Sequence, residues 1–269
     1  MQIEKINTVI GPLERDVTVR VMLPDGYETT QQRYPVLYMN DGQYVFDKED
    51  FPEKDSLEYA RYYRRYSFSL PQVIIVAIAC PNNSAERTAQ YSPFTKDFDV
   101  PAGKTFESRI EGEGISYLAW LTGTLKPMID RSYRTLSDAA HTAICGSSTG
   151  ALNSLYALLK YPEFFSRAIA MSPAACIWMD HLETVLDEAD YSHIKYFYLD
   201  VGTEEQGRMT EKQEFLDGAA NIHNAFLSHG VPEDHIQYNI YPGGVHRLSE
   251  WKRRFPDALR WVFQDCVDR

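Results

Sequence analysis

The sequence predicts a doubly wound α/β fold, with an antiparallel strand region at its N-terminal end. Three observations predict it. Short apolar-rich runs recur at 36–39, 73–80, 142–145, 168–171, 196–201 and 236–241, as expected of strands covered on both faces. Segments with helical spacing lie between these runs. Ahead of them, Val17, Val19 and Val21 alternate with Thr18, Arg20 and Met22, the period of a half-buried strand. Strands alternating with helices across short connections assemble into a doubly wound sheet.

The elements follow in order. The alternating strand ends at the turn Pro24-Asp25-Gly26. The run 36–39 supplies the next strand and 73–80 another. Segment 115–129 carries Leu118, Leu121, Leu125 and Ile129 on one helical face. After the strand 142–145, a helix over 151–159 stops before Tyr161-Pro162. Helices over 215–227 and 248–263 complete the set, and Pro256 is expected to kink or interrupt the last one. The stretch 81–114 fits no element. It is polar and punctuated by Pro93, Pro101, Gly103, Gly112 and Gly114, and a loop of that length is usually functional. It follows a strand, so it is expected to overhang the site edge of the sheet as a substrate-side insertion within a single domain spanning 1–269.

Composition narrows the function classes. The chain has 269 residues, 44% apolar and 24% charged, which is ordinary globular composition. A net charge of −11 repels phosphate backbones, so no nucleic-acid partner is expected. The longest unbroken apolar run, 73–80, has eight residues, whereas a membrane span needs about 20. Met1-Gln2-Ile3-Glu4-Lys5 lacks the pattern of a signal peptide. The four cysteines Cys80, Cys145, Cys176 and Cys266 form no CxxC, and a cytoplasmic setting is expected. No HExxH or paired His/Cys ligand set occurs, so neither a metal nor a cofactor is expected.

The chemistry centres on Gly146-Ser147-Ser148-Thr149-Gly150. The pattern G-x-S-x-G is weak alone, but here a strand precedes it and a helix follows, the setting of a nucleophile elbow. Such a turn is sharp, and the flanking glycines relieve its crowding. It lifts the Ser148 hydroxyl clear of the sheet at a helix N-terminus, where the dipole favours negative charge. A serine nucleophile needs a base. Ligands bind beyond the carboxyl ends of strands in such sheets. Of seven histidines, only His246 cleanly follows a strand; His141, His193 and His235 precede theirs, and His181, His223 and His229 have no tie to a strand end. The acid should follow an intermediate strand. Glu204 and Glu205 both lie past 196–201; Glu205 is preferred, Glu204 is the alternative, and Asp200, inside the strand, is read as structural. The oxyanion donors should be the amide of Thr149, after the nucleophile, and that of Gln43, in the loop Asn40-Asp41-Gly42-Gln43.

These residues resemble the putative-esterase (esterase D-like) branch of the α/β-hydrolases, from about Thr18 to near the end of the chain. The likeness is carried by Tyr34-Pro35-Val36-Leu37-Tyr38 with Asp41-Gly42-Gln43, Glu86-Arg87 with Tyr91-Ser92-Pro93-Phe94, Leu125-Lys126-Pro127-Met128-Ile129-Asp130 with Tyr133-Arg134-Thr135, the elbow, Tyr161-Pro162-Glu163-Phe164-Phe165, Ser172-Pro173-Ala174 and Gly244-Val245-His246. The resemblance implies an eight-stranded, mostly parallel sheet and a small-molecule ester as substrate. It also implies Ser148 as nucleophile, His246 as base, Glu205 as acid, and Gln43 and Thr149 as oxyanion donors. Family elbows often read Gly-Ser-Ser-Met-Gly-Gly, and here Thr149 and Ala151 replace the Met and the last Gly. An amide donor survives both changes.

Other motifs carry less. Gly103-Lys104-Thr105 lacks the P-loop glycine at position 98, which is Phe98. Arg61-Tyr62-Tyr63-Arg64-Arg65-Tyr66 reads as the end of an amphipathic helix rather than a base-stacking patch. Cys145 lies inside a strand and reads as inert packing. Trp178 is either a pocket wall or a core residue. The expected function is a serine esterase working through an acyl-enzyme. A binding protein on a hydrolase scaffold, an acyltransferase and a serine peptidase are the alternatives.

Overall fold

Two antiparallel strands open the chain. β1 (Gln2–Ile10) pairs with β2 (Arg15–Leu23) along its full length. A computed structural model describes residues 1–47 and 55–266. Next come β3 (Val36–Met39), α1 (Tyr59–Tyr66), β4 (Ile74–Ile78), α2 (Ser84–Tyr91) and the short pair β5 (Lys96–Asp97) and β6 (Arg109–Ile110). α3 (Gly114–Trp120) passes through a π-helical turn, Leu121–Leu125, into α4 (Lys126–Ser132). The second half alternates strictly: β7 (Thr142–Ser147), α5 (Thr149–Lys160), β8 (Arg167–Met171), α6 (Met179–Glu188), β9 (Tyr196–Gly202), α7 (Lys212–Ser228), β10 (Ile236–Tyr241) and α8 (Leu248–Val262).

Eight strands form one sheet in the order β1-β2-β4-β3-β7-β8-β9-β10. β2 runs antiparallel to both of its neighbours, and the pairs from β4 across to β10 are parallel. The expected fold class holds: a mostly parallel sheet with an antiparallel N-terminal part. Successive strand residues point to opposite faces, and the core divides accordingly. Val36, Tyr38, Ile144 and Leu199 pack with Leu118, Leu155 and Phe226 on one side. Leu37, Met39, Cys145 and Tyr198 pack with Tyr59, Tyr63, Phe255 and Leu259 on the other. Helices α1 and α8 thus cover one face, and α3, α5 and α7 the opposite one.

Several expectations need correction. The stretch 81–114 is not irregular throughout. It holds α2, whose start is fixed by Asn83, a side chain that accepts hydrogen bonds from the amides of Ala85 and Glu86. Pro256 does not interrupt the final helix, which continues through it from Leu248 to Val262. Pro256 is buried, and packing of α8 offsets the lost backbone hydrogen bond. β1 and α6 were not anticipated as elements. β1 is a half-exposed edge strand with little apolar alternation, and α6 buries only Leu182 and Leu186. The basic-aromatic run forms α1, which buries Tyr59, Ala60 and Tyr63. Among the described residues, no helix is long and apolar enough to cross a membrane.

Candidate active site

The parallel strands end along one rim, and Gln43, Ser148, Glu205 and His246 lie past the ends of β3, β7, β9 and β10. Ser148 separates β7 from α5 with φ 57° and ψ −123°, a strained conformation for a residue with a Cβ. The local sequence explains why the turn closes. A Cβ on Gly146 would lie 2.2 Å from the Gly150 carbonyl oxygen, and one on Gly150 would lie 3.1 Å from Asp41 Oδ2. The Ser148 amide donates to the Met171 carbonyl at 3.0 Å, and the Ala174 amide donates to the Ser148 carbonyl at 3.1 Å. The elbow is therefore stitched to β8 and its following loop.

His246 sits between β10 and α8. Its Nδ1 lies 2.6 Å from Glu205 Oε2 and its Nε2 lies 2.8 Å from Ser148 Oγ. A carboxylate only accepts, so Nδ1 carries the proton and Nε2 is left to accept from the serine hydroxyl. The ring packs against Phe215 at 4.8 Å and edge-on to Trp251 at 5.0 Å. Glu205 is completely buried. Its Oε1 accepts from the Gly202 amide at 2.7 Å and from Ser172 Oγ at 2.5 Å. Glu204 instead turns outward to Lys212, 3.2 Å away. Asp200 stays inside β9, where it accepts from Tyr198 and Arg254. Burial pushes it up to about 6 against the opposing charge of Arg254.

The loop after β3 completes the rim. Asn40 Nδ2 donates to the Gly150 carbonyl, and Tyr117 donates to Asn40 Oδ1 at 2.8 Å. Asp41 has a left-handed backbone, φ 59°, and its amide donates to Tyr91 Oη. The Gln43 side chain is tied to Cys80: Nε2 donates to Sγ, and Oε1 accepts from the Cys80 amide. Neither the Gln43 amide nor the Thr149 amide meets an acceptor among the described residues. Burial pushes the Cys80 thiol up to about 12, with Asp41 adding to the shift, so it is a protonated spacer rather than a nucleophile.

Two clefts meet at Ser148 and His246. One, of about 220 Å³, is walled by Phe106, Ile177, Thr210 and Phe215. The other, of about 360 Å³, is walled by Tyr44, Pro81, Leu248 and Trp251. Ser84 and Arg87 of α2 border both. Trp178 lines neither. It is fully buried behind the wall and packs edge-on to Phe98 at 5.2 Å. The turn Cys176–Trp178 presents Ile177 to the cleft and turns Trp178 to the core, so the core reading of Trp178 is the correct one. Among the described residues, no group of three or more His, Cys, Asp or Glu side chains is placed to hold a metal ion.

The model of the putative esterase family matches residues 11–262. The chain belongs to the putative esterase family. Within reach of this esterase is the uncharacterized protein YbbA of Bacillus subtilis (strain 168), 25% identical, with 90% of each chain covered. Among solved structures, an IroE-like serine hydrolase from Shewanella oneidensis is 20% identical, covering all of this chain and 81% of the other with a TM-score of 0.75. A ferulic acid esterase is 19% identical, covering 98% of both chains with a TM-score of 0.68. These likenesses show that this esterase has the α/β-hydrolase fold.

Residue types and strand ends brought forward Ser148, His246, Glu205, Gln43 and Thr149, and all five meet at one rim of the sheet. The same reasoning missed Arg87, Ser172, Trp251 and Arg254. Arg87 and Ser172 lie inside the segments that match the family, which was the one available signal. Trp251 and Arg254 gave none, because they sit on a helix whose inner face reads as ordinary core.

Proposed function

We propose that this esterase is a serine hydrolase that cleaves small-molecule carboxylic esters through an acyl-enzyme, with Ser148, His246 and Glu205 as its triad. The observation that carries the reading is the unbroken contact from Ser148 Oγ through both nitrogens of His246 to Glu205 Oε2, at 2.8 and 2.6 Å, anchored on a strained elbow.

Ser148 Oγ loses its proton to His246 Nε2 as it bonds to the ester carbonyl carbon. The carbonyl oxygen becomes an oxyanion held by the amides of Gln43 and Thr149, whose lack of other acceptors among the described residues supports this role. Collapse breaks the bond to the alcohol oxygen, which takes the proton from Nε2. Water then loses a proton to Nε2, bonds to the acyl carbon, and the acid leaves as Ser148 regains its proton. Glu205 orients the imidazole and stabilises its charged form.

The two clefts provide room for the acyl and alcohol halves on either side of Ser148. We read 81–114 as a substrate-side insertion within one hydrolase domain, because α2 and Phe106 border the clefts. The four free cysteines support a reducing, cytoplasmic setting. Turnover of p-nitrophenyl esters of graded acyl length tests the reading. Wild type should release nitrophenol catalytically and Ser148→Ala should not. Equal rates for the two proteins would overturn it.

A further inference from the structure

Glu205 has two oxygens, and only one faces His246. The other, Oε1, is held from behind. Its shortest partner is Ser172 Oγ at 2.5 Å, and Ser172 is fully buried. Ser172 also receives Trp251 Nε1 at 2.9 Å and Arg254 Nη1 at 3.4 Å. The directions of these bonds follow from chemistry. An indole N–H and a guanidinium only donate, so they occupy the lone pairs of the hydroxyl. Its single proton must go to a carboxylate. Glu205 Oε1 at 2.5 Å is far better placed than Asp200 Oδ1 at 3.4 Å.

The backbone is held in place for this. Ser172 is one of the few non-glycine residues with a left-handed backbone, φ 47°. That turn brings its amide within 3.0 Å of both the carbonyl and the carboxylate of Asp200. Trp251 contributes at three points: it lines one of the clefts at Ser148, packs edge-on to the His246 ring, and donates to Ser172.

We propose that Ser172 and Trp251 are positioning residues of the reaction. The relay runs from Trp251 Nε1–H to Ser172 Oγ, and from Ser172 Oγ–H to Glu205 Oε1. It locks the carboxylate torsion so that Oε2 stays on the His246 nitrogen. Removing Ser172 leaves Oε1 with the Gly202 amide and with Arg254 at 3.8 Å, which permits the carboxylate to turn. The inference rests on the triad reading above.

The test is a double-mutant cycle on p-nitrophenyl ester hydrolysis, with Glu205→Gln as reference. Ser172→Ala should lower kcat by about 10- to 100-fold, as loss of a group that orients a working ligand typically does, with KM unchanged within about twofold. Ser172→Cys keeps an unbranched side chain with a weak donor and should recover part of the loss. Trp251→Phe should lower kcat in the wild-type background and cost little further in Ser172→Ala, because coupled residues are not additive. The double variant removes donor and acceptor together, which guards against an orphaned indole N–H unfolding the single variant. The low-field proton resonance of the His246–Glu205 hydrogen bond should shift or broaden in Ser172→Ala. Wild-type kcat in Ser172→Ala, or fully additive losses, would overturn the relay. If Glu205→Gln itself is harmless, it is the triad reading that fails.

Discussion

Asp41 and Arg87 form a two-point ion pair, Nε to Oδ1 at 2.6 Å and Nη2 to Oδ2 at 2.7 Å, directly behind the turn that carries Gln43. Arg87 Nη2 also donates to the carbonyl of Ser147, the residue before Ser148. One guanidinium thus ties the proposed oxyanion loop to the elbow. Both side chains are largely out of solvent, at 21% and 10% exposure, so the pair escapes the screening that weakens surface ion pairs. Arg87→Lys keeps the charge and loses the fork. It should lower kcat by at least about tenfold, since a misplaced oxyanion donor forfeits part of the 2.7–4 kcal/mol such a donor supplies. Arg87→Ala should also lower stability, by about 3–5 kcal/mol if the buried carboxylate is left alone. Steady-state kinetics and denaturant unfolding of the two variants separate these effects.

The two adjacent glutamates should respond very differently. Glu205 is buried against His246, whereas the Glu204 side chain is 53% exposed and, among the described residues, pairs with Lys212 alone. Glu205→Gln should lower kcat by roughly 10²- to 10⁴-fold, the range seen when the acid of a triad loses its charge. Glu204→Gln should stay within about twofold, as exposed pairs contribute little. Equal losses in parallel assays would contradict the assignment.

The strand-end rule was legible because strands buried on both faces leave apolar runs whose ends can be counted. The run 36–39 coincides with β3, and 236–241 with β10. His246 follows from the second of those ends, whereas Gln43 also needs the hydrolase template, which asks for an amide donor in the loop after the third strand. The supporting contacts were not legible, because they join residues far apart in the chain. Arg87 meets Asp41 across 46 positions, and Trp251 meets Ser172 across 79. α2 escaped notice because only the Asn83 cap marks it, its sole large apolar residue being Tyr91. Trp178 could not be assigned to pocket or core from composition, since a single residue of turn decides which way it faces.

The elbow glycines should differ in severity. A methyl group on Gly146 meets backbone at 2.2 Å, which cannot yield, so Gly146→Ala should fail to fold or lose all activity. On Gly150 the nearest atoms are the side chains of Asp41 at 3.1 Å and Asn40 at 3.3 Å. Gly150→Ala should fold with lowered kcat, because the neighbours that shift belong to the Gln43 loop. Circular dichroism melts with ester assays check both.

Asp200, fully buried, and Asp265, paired with Arg167 in a more exposed position, give opposite pH signatures. Burial pushes Asp200 up to about 6, while an unfolded Asp titrates near 3.9. Its contribution to stability is full below about pH 4 and is lost as pH rises through 6, an effect of roughly 3 kcal/mol at two units. Asp200→Asn should therefore gain on wild type between pH 4 and 7. Asp265 behaves the other way. Burial raises it, but the hydrogen bonds and charge of Arg167 outweigh this and hold it at about 2. Its contribution is present above about pH 4 and lost as pH falls through 2. Urea unfolding of wild type, Asp200→Asn and Asp265→Asn between about pH 2 and pH 7 gives the sign directly.

The central claim is that Ser148 is an activated nucleophile. Reaction of the purified protein with a fluorophosphonate, followed by mass mapping of the peptide spanning Gly146 to Gly150, tests it most directly. One adduct per chain on Ser148, absent in Ser148→Ala and strongly slowed in His246→Ala, is the predicted result. A folded wild-type protein that takes up no label, or takes it up equally well without His246, would contradict the account.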